Sequence, residues 1–214
     1  GSVRVAYDRD FPPFTFQDSE RPSGLAIEMV RAVLAHAGYS AEFIQIPHAA
    51  QDAALAAGDV AALTFKGATP TRLNQFDFSA TMFVSGGSWF YAIGKSAPEN
   101  RPPKGARVAT PAKGPLGAEI GALFPDLIIV NVETYADSLR AVIERKADLA
   151  ALGFQIGTAL ARRDFAEKFH MPRAPFKPIP MAFTVAKGKN APLLADFDES
   201  LAALRGKGTI ATIE

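Results

Sequence analysis

The chain has 214 residues and a formal net charge of +1, from 23 Lys and Arg residues against 22 Asp and Glu residues. A charge so close to zero gives no overall field to attract nucleic acid or an anionic membrane, so we expect no nucleic-acid partner. The absence of cysteine excludes a disulfide framework, a catalytic thiol and Cys-ligated zinc.

The first half of the chain alternates short apolar runs with helical patterns. We predict, in chain order, a strand at 3–7, a helix that starts near Leu25 and stops at Gly38, a strand at 42–46, a helix at 51–57 and a strand at 60–64. This alternation is typical of βαβ units with a mostly parallel sheet.

The second half repeats that order. We predict a strand at 107–110, a helix from about Leu116, a strand at 127–130, a helix at 135–145 and a strand at 149–152. Two further strands, 89–93 and 182–186, connect the halves, and a last amphipathic helix covers 192–204. The predicted fold class is α/β, with two βαβαβ lobes joined by two crossing strands and hinged about them. Lobe 1 is 3–90 plus 185–214, and lobe 2 is 91–184.

This topology predicts where a ligand binds. In open α/β sheets, ligands bind beyond the carboxyl ends of the strands, so the segments after Tyr7, Thr64, Thr110 and Leu152 should line a cleft. The three histidines are scattered without metal-ligand spacing, and no phosphate-binding glycine loop or nucleophile elbow is present. We therefore expect neither a metal nor a cofactor.

One arginine in the stretch ATPTRLNQFDFS is a candidate anion-binding residue. Arg72 follows a Thr-Pro-Thr turn signal and precedes Phe76, Asp77 and Phe78. A planar guanidinium makes two parallel hydrogen bonds to a carboxylate, which an ammonium cannot reproduce. The alternative is a surface arginine paired with Asp77.

Five segments in order resemble the family 3 periplasmic solute-binding proteins. They are YDRDFPPFTF, GLAIEMVRAVLAHAG, AAGDVAALTFKGATPTRLNQFDFS, RKADLAAL and LAALRGKGTIATIE. Because they are spread from residue 7 to residue 214, the resemblance extends over nearly the whole chain. The resemblance implies a type II periplasmic binding protein, a two-lobed Venus flytrap that closes on a small molecule such as a polar amino acid. It also implies a periplasmic location, although the start, Gly1-Ser2-Val3, lacks the parts of a secretion signal.

The resemblance assigns binding residues in the first lobe. Thr69 and Arg72 match the family's Thr-x-x-Arg pattern, in which the arginine holds the ligand's carboxylate. Phe11 matches an aromatic residue that covers the ligand, whereas Asp8 matches a polar position and could equally cap a turn. Lys66, next to Gly67, offers a second cation on the Arg72 side.

In the second lobe the chain departs from the family pattern. Amino-acid receptors usually carry an aspartate that pairs with the ligand's α-ammonium, but counting from Asp148 gives Gly153, followed by Phe154 and Gln155. The family's Gly-Thr at a helix start reads here as Gly114-Pro115-Leu116-Gly117, so backbone N–H groups could still receive an anion, but no hydroxyl helps. The balance favours a carboxylate ligand without an α-ammonium, such as an organic acid, unless Asp8, Asp10 or Glu28 serves a cation.

Three classes of function fit these features. The leading one is a monomeric binding protein that delivers a small carboxylate-bearing ligand to an ABC-type importer through a membrane permease or receptor partner. The second is the ligand-sensing domain of a membrane receptor kinase. The third is a flytrap-fold dehydratase, for which Glu119 or Glu133 would have to act as a general acid. Because no acid and base are paired, we expect no catalytic residues and no enzyme activity.

Overall fold

The computed structural model describes residues 1–98 and 100–213. It divides into two compact units: unit 1 contains Gly1–Val84 and Ile179–Glu214, and unit 2 contains Ser85–Pro178. The lobe boundaries predicted from the sequence place both crossings a few residues later along the chain.

The strands and helices are numbered along the chain. The strands are β1 (Ser2–Tyr7), β2 (Asp10–Phe11), β3 (Thr15–Asp18), β4 (Arg21–Ser23), β5 (Ser40–Gln45), β6 (Ala62–Gly67), β7 (Phe76–Phe78), β8 (Phe83–Ser85), β9 (Gly87–Phe90), β10 (Arg107–Pro111), β11 (Ile128–Val132), β12 (Leu149–Gly153) and β13 (Ile179–Ala186). The helices are α1 (Leu25–His36), α2 (His48–Ala57), α3 (Leu116–Leu123), α4 (Tyr135–Ile143), α5 (Phe154–Asp164), α6 (Ala191–Gly206) and α7 (Thr209–Ile213).

Unit 1 is built on a sheet with the order β5-β1-β6-β13-β7, to which β8 is added through β13. β1 runs parallel to β5 and β6, whereas β13 is antiparallel to β6. The apolar residues of α1 recur at helical spacing and face the core, with Met29 and Val33 fully buried. α6 packs beside α1, and its Phe197 stacks on Phe183 of β13 at 4.3 Å.

Unit 2 repeats this arrangement in its own sheet, with the order β11-β10-β12-β9. β10 runs parallel to β11 and β12, and β9 joins β12 in the antiparallel sense. One apolar cluster packs Leu139 of α4 against Leu152, and another packs Ile120 of α3 against Val108. The predicted α/β class with two βαβαβ patterns is confirmed.

The two predicted connecting strands correspond to β9 and β13. The chain passes between the units at Val84–Ser85 and at Pro178–Ile179, just before each of these strands. Each strand then pairs as an antiparallel member of one unit's sheet.

Several elements were not predicted from the sequence. β2, β3 and β4 form a separate small antiparallel sheet, in which Phe11 pairs with Thr15. Strands of two to four residues are too short for an alternating pattern to be recognised. α5 was also missed, because Gly157 and Thr158 interrupt its apolar positions with poor helix formers.

Candidate functional site

The carboxyl ends of β1 and β6 meet at one edge of the unit 1 sheet, because the two strands are parallel neighbours. After β6 the chain turns through Thr69 into a short 3-10 helix, Pro70–Arg72, whose Arg72 N–H donates to the Thr69 carbonyl at 3.0 Å. Proline at the first position of this turn supplies the backbone angle that it needs. The turn therefore places Arg72 beside the end of β6.

The half-buried Arg72 side chain lies against the end of the strand. Its Nη1 donates to the Gly67 carbonyl oxygen at 2.9 Å. A Cβ atom built on Gly67 would lie 2.9 Å from the same Nη1, so the missing side chain makes room for the guanidinium. Gly67, Thr69 and Arg72 are thus brought together as one group.

Arg72 has no acidic partner among residues 1–98 and 100–213. Asp77, the alternative partner, instead accepts a hydrogen bond from the Gly188 N–H at 2.8 Å and forms an ion pair with Lys187 at 3.0 Å. The Gly188 hydrogen bond and then the Lys187 ammonium lower the pKa of Asp77. The Arg72–Asp77 alternative is therefore wrong, and the guanidinium charge is not balanced by a neighbouring carboxylate.

Lys66 does not supply the second cation expected beside Arg72. Its side chain is buried, and its Nζ lies 3.0 Å from Asp52 Oδ1 on α2 and 5.1 Å from the centre of the Phe76 ring. Because neighbouring residues of a strand face opposite sides of the sheet, Lys66 points away from the side on which Gly67 receives Arg72. Asp52 already balances its charge, which corrects the expectation drawn from the sequence.

Asp8 uses both carboxylate oxygens within the protein. Oδ1 accepts the Asp10 N–H at 2.8 Å, and Oδ2 accepts the N–H of His48, the first residue of α2, at 2.9 Å. A carboxylate at this position satisfies an N–H group that the helix leaves free and interacts favourably with the helix dipole. Of the two roles considered for Asp8, the structure favours the capping role.

Phe11 belongs to an aromatic cluster and remains 38% exposed. Its ring centre lies 5.8 Å from that of Phe14 and 5.7 Å from that of Phe65 in an edge-to-face contact. Phe65 and Gly67 face the same side of β6, since they are two residues apart. Phe11 and the Arg72 guanidinium therefore lie on one face of the strand, an apolar surface beside a cation.

Phe65 was not identified as a site residue from the sequence. The signal that could have found it is the two-residue alternation in β6, which places it on the same side as Gly67. Ile179 was missed as well, although its Cγ2 lies only 3.1 Å from the position of a Cβ on Gly67. No local pattern predicts this contact, because the two residues are more than a hundred positions apart.

In unit 2, Gly114 and Leu116 lie where α3 follows β10. The Gly114 N–H donates to the Pro111 carbonyl at 3.2 Å, and α3 begins at Leu116 without a side-chain cap. The Leu116 side chain packs in the core, since its Cδ2 would lie 2.6 Å from a Cβ on Gly87. Gly114 and Leu116 themselves can therefore offer a ligand only backbone groups.

Gly153 and Phe154 lie where β12 passes into α5. Gly153 pairs with Gly87 across the sheet, and the Phe154 N–H donates to the Gly86 carbonyl at 2.9 Å. Gly153 has an ordinary backbone conformation, with φ −52°, and no side chain caps α5. The carboxylate that amino-acid receptors carry at this point is absent from this helix start.

The arrangement in unit 1 can hold a small anion and cover its apolar part. A guanidinium without an internal counter-ion, next to an exposed ring, suits a carboxylate on a carbon skeleton. No group of three or more His, Asp or Glu side chains with metal-binding geometry occurs among the residues that the structure describes. Within the same residues, no helix combines the length and the apolar character needed to cross a bilayer.

Comparison with known proteins identifies the family of the chain. The sequence model of the family described as "Bacterial extracellular solute-binding proteins, family 3" matches residues 3–214. A search of curated proteins gave no significant match.

Three solved structures illustrate the similarity of fold. The L-cystine solute receptor of Neisseria gonorrhoeae, in its unliganded open conformation, has a TM-score of 0.82 at 23% identity, over 99% of this chain and 90% of that one. Substrate binding domain 2 of GlnP from Lactococcus lactis has a TM-score of 0.77 at 19% identity, over 99% and 93% of the two chains. A histidine kinase sensor domain has a TM-score of 0.62 at 24% identity, again over 99% and 93%.

Proposed function

The chain belongs to the bacterial extracellular solute-binding proteins of family 3, and from this premise we propose that it binds a small carboxylate through Arg72 and delivers it for import. The observation that carries the proposal is the Arg72 guanidinium, which has no carboxylate partner in the described part of the chain and contacts only the Gly67 carbonyl through its side chain. Thr69 belongs to the same turn and contributes its hydroxyl, which lies 3.3 Å from that of Thr71.

Phe11 supplies the apolar surface for the carbon skeleton of the ligand. Its ring is supported from behind by Phe14 and Phe65 and is thus held in place without being buried itself. A fixed aromatic surface next to a charged group is the usual composition of a small-molecule site. Gly114, Leu116, Gly153 and Phe154 remain predicted contributors from unit 2, through backbone groups in the case of Gly114 and Leu116.

We also propose that the ligand is an organic acid without an α-ammonium group. An enclosed ammonium without a facing carboxylate loses its hydration with no charged replacement, which costs several kcal/mol. Gly153 offers no carboxylate, and Asp8 already accepts two backbone hydrogen bonds. In a thermal-shift screen, acids lacking an α-amino group should then give larger shifts than standard L-amino acids. Micromolar binding of a standard L-amino acid would refute this choice of ligand.

Calorimetric titration of Arg72→Ala tests the anchoring role. The ligand is first identified by native mass spectrometry of the purified protein and by the thermal-shift screen. Removing one partner of a hydrogen-bonded charge pair should cost about 2–5 kcal/mol of binding free energy. Arg72→Lys should lose part of this, because an ammonium lacks the planar fork. The control variant is Arg21→Ala, which removes an exposed arginine of unit 1 and should leave the affinity unchanged. Unchanged affinity in Arg72→Ala would refute the proposal.

Import through an ABC-type transporter is the proposed role, with a membrane permease as partner. A second role, ligand sensing ahead of a kinase, is supported by the similarity to a histidine kinase sensor domain. The complete gene distinguishes the two: a coding region that continues into a membrane span and a kinase would favour sensing.

The expectation of no catalysis is tested by incubating the ligand with the protein and following the ligand by NMR. Any conversion of the ligand would contradict this expectation.

The hinge expected from the sequence stays a prediction. Family receptors of this kind close on their ligand, so a smaller radius of gyration is expected in small-angle scattering when the ligand is added. A tightly bound ligand that leaves the scattering profile unchanged would contradict it. The same measurement tests the expected monomer through the forward scattering.

A further inference from the structure

The net charge of +1 is divided unevenly between the two units. Unit 1 carries 10 Lys and Arg residues against 13 Asp and Glu residues, a net charge of −3, whereas unit 2 carries 13 against 9, a net charge of +4. An anionic molecule is therefore attracted to unit 2 more than to the chain as a whole.

Unit 2 contains a cavity of about 630 Å³ where β10 and β12 begin. These are the amino ends of the two strands, opposite to the ends that lead to Gly114 and Gly153. The lining includes apolar residues such as Val142, Ala147 and Leu149. The volume lies in the range of small-molecule sites, which is about 300–1,000 Å³.

Basic side chains dominate the charged part of this lining. Arg107 is balanced by Asp148, which accepts its Nη2–H at 3.1 Å and its backbone N–H at 2.7 Å. The other three basic residues of the lining, Lys95, Lys104 and Arg145, have no ion-pair partner within 1–98 and 100–213. The four basic side chains of the lining therefore outnumber its one carboxylate, that of Asp148, by three. Asp126, outside the lining, attracts Lys104 from a longer distance, as Asp148 attracts Lys95.

Arg145 occupies a backbone position that favours glycine. It follows α4 with φ 62°, and the N–H groups of Arg145 and Lys146 donate to the carbonyls of Val142 and Ala141, closing the helix. Glycine is the common residue at this position, because a side chain makes the left-handed backbone region less favourable. The backbone conformation at this position therefore does not account for an arginine.

Tyr91 adds a buried polar group to the same lining. Its side chain is 6% exposed, and its hydroxyl has no hydrogen-bond partner in the part of the chain that the structure describes. Burial raises the pKa of Tyr91 to about 12, so the hydroxyl keeps its proton and can donate it. An unsatisfied buried donor of this kind destabilises the folded chain until an acceptor reaches it.

We propose that this basic cavity of unit 2 is a second binding site, for a small organic anion with an apolar body, held by Lys95, Lys104 and Arg145 and accepting a hydrogen bond from Tyr91. The apolar lining would receive the hydrocarbon part. The site is independent of Arg72, which belongs to unit 1.

The test uses 2-naphthoate as the probe, a carboxylate on a flat apolar body. It is titrated into the ¹⁵N-labelled chain of 214 residues and followed by NMR. Saturable shifts are expected at the amides of Ala92, Gly105 and Ala147. Arg145→Gly should weaken binding at these amides by about three- to tenfold, as should Lys104→Ala. The melting temperature of Arg145→Gly should not fall, since glycine suits the backbone. Tyr91→Phe should weaken binding by a similar factor, because it removes the hydroxyl donor, and unchanged binding would refute the role of Tyr91.

Two control variants test whether the amide shifts come from this cavity or from other arginine residues of the chain. Arg162→Ala removes an exposed arginine of unit 2 that is not part of the lining and should leave the shifts unchanged. Arg72→Ala should also leave them unchanged, even where it abolishes binding in unit 1. The proposal is overturned if these amides do not shift, or if Arg145→Gly and Lys104→Ala both bind the probe as the unaltered chain does.

Discussion

Arg72 donates a hydrogen bond from Nη1 to the Gly67 carbonyl oxygen at 2.9 Å, and Gly67 is the residue whose missing side chain leaves room for that guanidinium. The contact uses one of five guanidinium N–H groups and carries no opposing charge. The arginine is therefore held in position while most of its donors remain available for a ligand.

Gly67→Ala is expected to weaken ligand binding while Arg72 stays in place in the sequence. The new Cβ would lie 2.9 Å from Arg72 Nη1 and 3.1 Å from Ile179 Cγ2, so the flexible end of the arginine must move. A guanidinium displaced by a fraction of an ångström loses part of its bidentate geometry, and we expect about a tenfold loss of affinity. Calorimetry measures it, with thermal unfolding as the check that the fold persists. Unaltered affinity would show that Arg72 is not positioned by Gly67.

Lys66→Met is expected to leave ligand affinity unchanged, because Lys66 pairs with Asp52 and faces away from Arg72. Asp52→Asn should instead lower the free energy of unfolding by about 1 kcal/mol, since it leaves a buried ammonium without its counter-charge. The cost is kept small by the solvent exposure of Asp52, whose side chain is 51% accessible. Urea denaturation and calorimetry on both variants check this. A ligand affinity that falls in Lys66→Met would restore Lys66 as a binding residue.

Gly153→Asp is expected to increase the affinity for L-amino acids. The position has an ordinary backbone conformation, and a Cβ there meets only Ile156 Cγ2, at 3.3 Å. Aspartate is also a favoured residue at the start of a helix, so α5 should tolerate it. We expect at least about a tenfold gain for amino acids and a loss for simple carboxylates, through attraction and repulsion respectively. Gly153→Asn, of equal size without the charge, is the control. Equal responses from the two variants would contradict the electrostatic explanation.

Thr134→Ala is expected to destabilise the chain by about 1 kcal/mol. The Thr134 hydroxyl accepts the Asp137 N–H at 3.0 Å, and the Asp137 carboxylate accepts the Thr134 N–H at 3.2 Å, which closes a reciprocal cap on α4. Urea denaturation measures the loss, and Thr134→Ser, which keeps the hydroxyl, should recover most of it. A Thr134→Ser variant as unstable as Thr134→Ala would assign the effect to packing of the methyl group.

The sequence predicted the elements that bury a regular apolar face. α1 and β1 are examples, because their core-facing residues recur at the period of their own backbone. α5 was not predicted, because Gly157 interrupts the helical spacing of its apolar residues. Gly157 is nevertheless required, because a Cβ there would lie 2.5 Å from the Phe90 ring. The close approach of Phe90, which is far from Gly157 in the sequence, requires a glycine there. That glycine weakens the helical pattern from which α5 could have been predicted.

The same limit applies to the site. The position of Arg72 in a turn after a strand could be predicted, because the turn is encoded by adjacent residues. Whether Arg72 or Lys66 keeps a free charge depends on Asp52, Asp77 and Lys187, which are brought to them by helix and strand packing. Spacing along the chain contains no information on such pairings.

Unit 2 is one continuous segment, whereas unit 1 is completed by residues that follow it. β13 lies between β6 and β7 in the sheet of unit 1, yet it is synthesised after the whole of unit 2. A growing or exported chain therefore has every strand of unit 2 before it has the strand that covers β6. Until residue 186 emerges, β6 presents an unpaired edge, the kind of edge that joins to other chains. We expect a chaperone, if one assists this protein, to bind the first 84 residues.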